Sequence, residues 1–218
     1  MKNIPRIFID ADLQTGIQIP VSRDVAHYLG RVMRTDVCRV FGGGVEFDAR
    51  LGADGKTLHI GAATGRPDPS NKLTLCFAPI KRTDDMLNMV TQLGVAAFQP
   101  VITERTVAHH INWDRMHKIV VEASEQSNRN SVPVILPPVK LSELDMGGLV
   151  FADERAAYGR ATPEIQTPPR AILIGPEGGF SDAEFAMLDA AGARGMSLGP
   201  TILRAEVAAV VAASRGVQ

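Results

Sequence analysis

The chain has 218 residues, of which 45% are hydrophobic and 22% are charged, and its formal net charge is −1. This size allows one large or two modest domains with a substantial core. The balanced charge excludes a protein that is basic over its whole surface, although a local cluster of Lys and Arg remains compatible with nucleic-acid binding.

The sequence predicts a cytoplasmic protein with no membrane partner. The longest apolar run near the C-terminus, residues 207–213, is too short to cross a bilayer, and residues 1–10 lack the apolar core of a signal peptide. Cys38 and Cys76 lie in strand-like runs without metal-ligand spacing, so we expect buried, reduced thiols.

The N-terminal part consists of short, turn-rich apolar runs. They occupy residues 6–10, 17–20, 37–41, 45–51 and 57–62. The turns Gly42-Gly43-Gly44 and Asp54-Gly55 predict hairpins between them. This part is therefore expected to form a small β-barrel or sandwich.

One helix is expected within this part, over residues 23–34 with Ser22 as its N-cap. The spacing of Val25, Leu29 and Val32 predicts that they share its inner face. Cationic side chains accompany the helix and the first strand, and either a phosphate-binding rim or an ordinary solvated surface is compatible with them. They are Arg6, Arg23, His27, Arg31 and Arg34.

A polar, Pro-rich stretch at residues 65–72 is typical of a linker, and after it apolar strands alternate with longer helical patterns. Strands are expected at residues 73–80, 98–103, 132–136, 148–153, 171–175 and 196–199. Helices are expected up to residue 93 and over residues 113–127, the second capped by Asn112. This order predicts a mostly parallel sheet covered on both faces, which binds ligands at the carboxyl ends of its strands.

Two segments, ILIGPEGGF at residues 172–180 and SLGPTILRAE at residues 197–206, each join a strand to a helix through a Gly-Pro turn. In the first, the glycines let a ligand approach the main chain, and Ser181 with Glu184 forms a capping box for a helix over residues 182–191. In the second, a helix is expected over residues 202–213, with Arg204 and Glu206 in its first turns. The helix dipole favours Glu206 there but not Arg204, so Arg204 is expected to contact a ligand or Glu206. Ordinary strand-to-helix turns remain the alternative for both segments.

Several familiar chemistries have no motif here. The sequence contains no phosphate-binding Walker loop, no dinucleotide Gly-x-Gly-x-x-Gly, no His-Glu-x-x-His and no Pro-Cys-x-x-Cys. His109 and His110 are adjacent rather than spaced for one helix face, which favours a surface pair over a metal site. No metal is therefore expected.

The two Gly-Pro segments, in this order, resemble the RsmE family of ribosomal RNA uridine methyltransferases of the SPOUT superfamily. The resemblance extends to PRIFID at the start, AHYLGRVMR at residues 26–34 and PIKRTDDMLNMVTQLGV at residues 79–95. It also includes ITERT at residues 102–106 and EASEQSNRNSVP at residues 122–133, so it runs almost from end to end.

The resemblance implies an α/β fold. A SPOUT-type α/β methyltransferase domain with a C-terminal trefoil knot would span residues 73–218, and a small PUA-like β-barrel that binds RNA would span residues 1–68. It further implies a homodimer that uses S-adenosylmethionine to methylate ring N3 of a specific uridine in 16S ribosomal RNA, either naked or within the assembled small subunit. No metal is required, because the sulfonium is already activated.

The resemblance places the cofactor on the two Gly-Pro segments. The residues implied are Ile174, Gly175, Pro176, Glu177, Gly178, Gly179, Leu198, Gly199, Ile202 and Leu203. Methylation at N3 requires removal of the N3 proton and stabilisation of the charge that develops on the ring. Glu206 or Glu177 is the candidate base, and Arg204 or Arg129 the candidate electrostatic partner. Capping or ion pairing at a helix start remains the alternative for the glutamates.

RNA contacts are expected from the N-terminal helix, the sheet edge and the segment after the helix over residues 113–127. The residues are Arg6, Arg23, Arg31, Arg34, Lys81, Arg82, Gln126 and Arg129. Gln126, Ser127 and Arg129 form a polar cluster that is expected to reach toward the knot of the second subunit.

The chain departs from the family pattern at Thr201, where an arginine is usual, at Val207, where a threonine is usual, and at Asn128, where a glycine is usual. Asn tolerates a left-handed backbone, so Asn128 is expected to preserve the turn. Two alternatives remain open from the sequence. One is a SPOUT enzyme that methylates a ribose hydroxyl or a transfer RNA base, and the other is an RNA-binding protein without catalysis.

Overall fold

The computed structural model of the protein describes residues 4–107, 112–165 and 167–216. The chain divides into two compact units, Met1–Ser70 with Val121–Val132, and Asn71–Val120 with Pro133–Gln218. His109 and His110 lie outside the described residues. Over the described ranges, no helix is both long and apolar enough to span a bilayer, and no three potential metal ligands are grouped together.

The first unit contains a five-stranded sheet and one short helix. Its elements are β1 (Arg6–Phe8), β2 (Gln18–Pro20), α1 (Arg23–His27), β3 (Val37–Gly42), β4 (Val45–Leu51) and β5 (Thr57–Ala63). The strand order is β1-β3-β4-β5-β2, in which only the β1 and β3 pairing is parallel.

Both predicted hairpins are present in this sheet. Gly43 and Gly44 turn between β3 and β4 with φ of 59° and 86°, angles that favour glycine over residues with a Cβ. Asp54 stabilises the second turn by accepting the backbone N–H of Lys56 at 2.9 Å. The inward side chains of these strands form the apolar core of the unit around Leu58.

The predicted helix over residues 23–34 is wrong in its second half. Ser22 caps α1 as expected and accepts the N–H of Val25, but the chain widens into a π-helix at Tyr28–Met33. The wider turn breaks the 3.6-residue spacing, so Leu29 is fully buried whereas Val32 is 60% exposed. Val32, expected on the inner face of a regular helix, therefore lies on the solvent side.

The second unit holds the larger sheet. Its elements are β6 (Thr74–Phe77), α2 (Thr83–Thr91), β7 (Ala97–Ile102), α3 (Trp113–Gln126, which continues into the first unit), β8 (Val134–Ile135), β9 (Val139–Lys140), β10 (Leu149–Ala152), β11 (Ala171–Ile174), α4 (Asp182–Ala190), β12 (Arg194–Met196) and α5 (Ala205–Gly216).

The sheet of the second unit is parallel in every recorded pairing. Its order is β12-β10-β11-β6-β7-β8, with β9 also paired to β7. The helix α5 packs against β11, β6 and α2. The predicted α/β fold with a parallel sheet is therefore confirmed. The central strands β10, β11 and β6 are neighbours, so their carboxyl ends deliver three loops to one place.

Both cysteines are buried and free, as predicted. Burial raises the pKa of Cys76 to about 12, and burial together with the nearby Asp36 charge raises that of Cys38 to about 12. Neither thiol is therefore ionised near neutral pH.

Candidate active site

A pocket of about 510 Å³ opens at the carboxyl ends of the neighbouring strands β12, β10, β11 and β6. Parallel sheets bind ligands at this edge, and the volume is that of a typical small-molecule site. The lining residues are Lys81, Arg82, Ala152, Asp153, Glu154, Ala157, Ile174, Gly175, Pro176, Glu177, Gly179, Phe180, Leu198, Gly199, Thr201, Ile202, Leu203, Arg204, Ala205, Glu206 and Ala208. Both Gly-Pro segments contribute to the pocket.

The loop after β11 is fixed at its end by the predicted capping box. Ser181 Oγ accepts the N–H of Glu184 at 3.3 Å, and Glu184 Oε2 accepts the N–H of Ser181 at 2.9 Å. The other carboxylate oxygen of Glu184 accepts the N–H of Glu104 at 2.8 Å. The residue after Glu104 also contacts the loop, because Arg105 donates to the carbonyls of Gly178 at 2.8 Å and Phe180 at 3.2 Å. The ITERT segment thus holds the loop in place.

The glycines of this loop have different roles. Gly179 has φ of 68°, and a Cβ there would overlap Oε1 of Glu154. At Gly175 a Cβ would meet the Phe180 ring at 3.1 Å. Gly178 is not among the lining residues. A Cβ added there would lie 3.5 Å from Cδ of Arg105, which is an ordinary contact distance. The expectation that Gly178 lies in the pocket wall is therefore corrected, whereas the other predicted cofactor residues all line it.

The loop after β12 is three residues longer at its C-terminal end than predicted. The helix α5 begins at Ala205, not at Ile202, and the carbonyl of Arg204 accepts the N–H of Ala208 at 2.8 Å. Ile202 and Leu203, which the sequence placed in the first turn of that helix, lie in the loop before it and line the pocket. At the other end of α5, Arg215 donates to the carbonyl of Ser197 at 2.5 Å and ties the start of the loop to the helix.

The two candidate bases lie in the pocket wall, and each contacts the segment after β6. Glu206 is 7% exposed in the first turn of α5, and its Oε1 lies 3.7 Å from Nε of Arg82. Glu177 is exposed, and its Oε1 accepts the N–H of Lys81 at 3.1 Å. Of the two contacts expected for Arg204, a ligand or Glu206, the second is absent from the described ion pairs, where Arg82 pairs with Glu206 instead. Arg204 precedes the helix and is exposed at the pocket, which leaves the ligand contact as a prediction.

The sequence reasoning missed the wall that follows β10. Ala152, Asp153, Glu154 and Ala157 line the pocket there. Asp153 is 4% exposed and is held by Arg155, whose Nε and second guanidinium nitrogen donate to its two carboxylate oxygens at 2.7 and 2.8 Å. These hydrogen bonds raise the pKa of Arg155 above its usual range. The available signal was the strand expected over residues 148–153, which ends in Asp153 and is followed by Glu154, at the same sheet edge as the glycine loops.

Arg129 is placed by the structure in the first unit, with its side chain 1% exposed and one guanidinium nitrogen donating to Ser70 Oγ at 2.9 Å. It does not line the pocket. Arg129 was expected as an electrostatic partner in catalysis or as an RNA contact, and the structure does not favour direct contact with either substrate, since the side chain is buried away from the pocket of its own chain. Asn128 beside it has φ of 62°, which confirms the predicted left-handed turn.

Arg6 is also corrected as an RNA contact. It is 8% exposed and donates to Glu46 Oε1 at 2.7 Å, to Asn130 Oδ1 at 2.9 Å and to the carbonyl of Arg129 at 2.7 Å. Its guanidinium therefore forms hydrogen bonds inside the first unit. The remaining predicted RNA residues are all exposed: Arg23, Arg31, Arg34, Lys81, Arg82 and Gln126.

The parallel sheet and the pocket walled by glycine loops and carboxylates define an α/β protein with a site for a small ligand at its strand ends. A family model described as an RNA methyltransferase domain matches residues 66–216. The ribosomal RNA small subunit methyltransferase E of Rickettsia conorii is 32% identical over 95% of this chain and 92% of its own length. The protein of the same name from Synechocystis is 31% identical over 85% of this chain and 68% of its own length.

A crystal structure of ribosomal RNA small subunit methyltransferase E from Neisseria gonorrhoeae bound to S-adenosylmethionine matches with a TM-score of 0.85 and 28% identity. The match covers 98% of this chain and 96% of that chain. The chain described here belongs to the ribosomal RNA small subunit methyltransferase E family. The resemblance drawn from its motifs is confirmed.

Proposed function

We propose that this protein uses S-adenosylmethionine to methylate ring N3 of a uridine in 16S ribosomal RNA. The observation that carries the proposal is the pocket at the strand ends, whose walls are the two motif segments of a chain that belongs to this methyltransferase family. The relative from Neisseria, which matches over nearly the whole chain, was solved with this cofactor.

The residues present fit an adenosine-containing ligand. Ile174, Leu198, Ile202 and Leu203 supply apolar surface for a flat base, and the glycine loop after β11 exposes backbone groups. When bound, S-adenosylmethionine supplies a methyl group that its sulfonium has already activated. The protein must therefore position the acceptor ring and manage its proton.

The proton on uracil N3 must leave as the new bond forms, which calls for a base beside the ring. Glu206 is the base we propose. It is almost buried, which excludes competing water, and it lies in the first turn of α5, where the helix dipole favours a carboxylate. Glu177 is the second candidate, but it is exposed and one of its oxygens already accepts the Lys81 N–H.

The negative charge that develops on the ring requires a nearby cation. Arg204 lines the pocket on an exposed loop and has no ion pair within the described part of the chain, so its guanidinium is available to a substrate. Arg82, which lies beside Glu206, is the second cation in the pocket wall. We assign Arg204 to the ring and Arg82 to the carboxylate.

The proposal includes the wider architecture that the family resemblance implies. Residues 1–68 would form a PUA-like barrel that binds RNA, and residues 73–218 a SPOUT methyltransferase domain with a trefoil knot. Arg23, Arg31 and Arg34 would hold phosphates, and Lys81 with Arg82 would position the target strand. The active unit would be a cytoplasmic homodimer, with Gln126 and Ser127 near the partner's knot. Light scattering that gives an active monomer would reject the dimer.

The direct test is methyl transfer by the purified protein. Radiolabelled S-adenosylmethionine is supplied with 16S ribosomal RNA or with small subunits from a strain that lacks this gene. The proposal expects label in N3-methyluridine, and the preferred substrate shows whether naked RNA or the subunit is recognised. Label in a ribose methyl group or in transfer RNA would assign the protein to another reaction. RNA binding without any affinity for S-adenosylmethionine in calorimetric titration would identify an RNA-binding protein without catalysis.

A further inference from the structure

Glu154 lines the pocket but has no role in the proton transfer or charge stabilisation proposed above. It directly follows Asp153 after β10, the strand that pairs in parallel with β11. Its carboxylate therefore lies at the same sheet edge as the glycine loop that β11 carries, and both line the pocket. In doubly wound sheets that bind dinucleotides, an acidic residue beside the glycine loop accepts hydrogen bonds from the ribose hydroxyls.

The Glu154 carboxylate lies directly over Gly179. A Cβ at Gly179 would overlap Oε1 and would come within 2.8 Å of Oε2. A glycine at this position therefore leaves space for the carboxylate at the loop backbone, in addition to permitting φ of 68°. Both carboxylate oxygens therefore lie beside the backbone of Gly179, which lines the pocket.

The oxygens of Glu154 remain open to a ligand. Within the described residues, no hydrogen bond or ion pair uses this carboxylate, whereas its neighbour Asp153 is occupied by Arg155 and lies 3.6 Å from Arg160. The backbone position is fixed, because Asp153 caps the short 3-10 helix Glu154–Tyr158. A fixed residue with free acceptor oxygens is suited to receive donors from a bound molecule.

The charges around Glu154 favour neutral donors over a cation. Partial burial of the carboxyl raises its pKa, the Asp153 charge acts in the same direction, and Arg105 and Arg155 oppose it. Arg105, Arg155 and Arg160 balance the carboxylates of Asp153, Glu154 and Asp189, so the cluster as a whole offers little net attraction to an ammonium group. Hydroxyl groups, which need acceptors but no net negative charge, match it better.

We propose that Glu154 binds the vicinal hydroxyls of the cofactor ribose, one carboxylate oxygen to each hydroxyl, on the loop at Gly179. The inference rests on the proposed use of S-adenosylmethionine and adds a residue that selects a ribonucleoside over a deoxyribonucleoside. Glu154 contacts the ribose and takes no part in proton transfer. It is therefore a specificity-determining residue.

The test is calorimetric titration with two nucleosides that lack the amino-acid part of the cofactor: 5′-methylthioadenosine and its 2′,3′-dideoxy analogue. The variants are Glu154→Ala and Glu154→Gln, with Glu164→Gln as a control at an exposed glutamate outside the pocket wall. Wild type is expected to lose roughly tenfold or more in affinity on going to the dideoxy analogue, the usual effect of hydrogen bonds to a charged group. Glu154→Ala should lose as much for methylthioadenosine and should bind both nucleosides equally.

Each alternative outcome decides the matter. If Glu154→Ala still discriminates between the two nucleosides as wild type does, the ribose contact is wrong. If its affinity falls for S-adenosylhomocysteine but not for methylthioadenosine, the carboxylate binds the amino-acid part and the proposal is overturned. A wild-type protein that binds neither S-adenosylmethionine nor these nucleosides removes the proposed function itself. Unchanged thermal unfolding of the variants would establish that the losses are local.

Discussion

Nε of Arg82 lies 3.7 Å from Oε1 of Glu206, while the N–H of the adjacent Lys81 donates to Oε1 of Glu177 at 3.1 Å. The turn at residues 81–82, just before α2, thus contacts both candidate bases. The side chain of Arg82 is 59% exposed and that of Glu206 is 9% exposed. The pair therefore joins a solvent-facing cation, which RNA can reach, to a shielded carboxylate inside the pocket.

Glu206→Gln should reduce turnover about 100-fold at neutral pH, the usual contribution of a general base. Activity should partly recover at high pH, because hydroxide can then remove the N3 proton. The pH profile of single-turnover methyl transfer measures this, with cofactor affinity as the control. Glu177→Gln is the matched variant. A Glu206→Gln profile parallel to that of wild type, with recovery at high pH in Glu177→Gln instead, would transfer the base role to Glu177.

Gly179→Ala should weaken cofactor binding at least tenfold, whereas Gly178→Ala should bind almost as wild type does. At Gly179 an added Cβ meets a left-handed backbone, at a cost of about 1 to 2 kcal/mol, and displaces the Glu154 carboxylate. At Gly178 the new Cβ makes only ordinary contact with Arg105. Calorimetric titration with S-adenosylmethionine compares the two. Equal losses at both positions would contradict the distinction.

Arg31→Ala combined with Arg34→Ala should weaken RNA binding and reduce the slope of log K against log salt by about 1 to 2, since each phosphate contact contributes roughly 0.7 to 0.9. The nucleotide methylated should not change, because phosphate contacts carry no base choice. Arg50→Ala is the control, an exposed arginine of the same unit already paired with Asp36 at 2.5 Å. An unchanged slope in the double variant would show that these arginines are ordinary solvated side chains.

Glu46→Gln should destabilise the protein by about 3 kcal/mol or more, because it leaves the buried Arg6 guanidinium without its counter-charge. Burial alone would raise the pKa of Glu46, but hydrogen bonds from Arg6 and Thr64 outweigh it and hold the pKa below its usual value. The stabilisation is therefore complete above about pH 4.3, the unfolded value, and is lost as the pH falls through the lower folded pKa.

Thermal unfolding measured by calorimetry at pH 7 and at low pH tests this. The difference between wild type and Glu46→Gln should be large at pH 7 and should shrink on acidification. The control is Asp48→Asn on the same strand, an exposed carboxylate 3.5 Å from Arg39, which should cost at most about 1 kcal/mol. A difference that does not depend on pH would contradict the role assigned to the ion pair.

The sequence predicted best the structural features that depend on residues close together in the chain. Ser181 and Glu184 of the capping box are three positions apart, and the box was predicted correctly because both partners lie in one turn. The parallel sheet followed from the alternation of strands and helices, and the pocket from two glycine loops at its carboxyl edge. These patterns are local or periodic.

What depends on distant partners was not predictable. Arg6 was expected on the surface, but its partners Glu46 and Asn130 are 40 and 124 residues away in the sequence. Glu154 was missed because its place in the pocket depends on β10 lying beside β11, a strand order that periodicity does not supply. Arg204 was put in a helix because an apolar run that lines a pocket has the same composition as one that lines a core.

The most direct test of the central claim is mass spectrometry of 16S ribosomal RNA from a strain without this gene, complemented by wild type or by Glu206→Gln at equal expression. The account predicts that N3-methyluridine is absent at one position in the deletion strain, returns with wild type and stays strongly reduced with Glu206→Gln. Full N3-methylation of the deletion strain's 16S RNA, or restoration of a different modification by wild type, would contradict it.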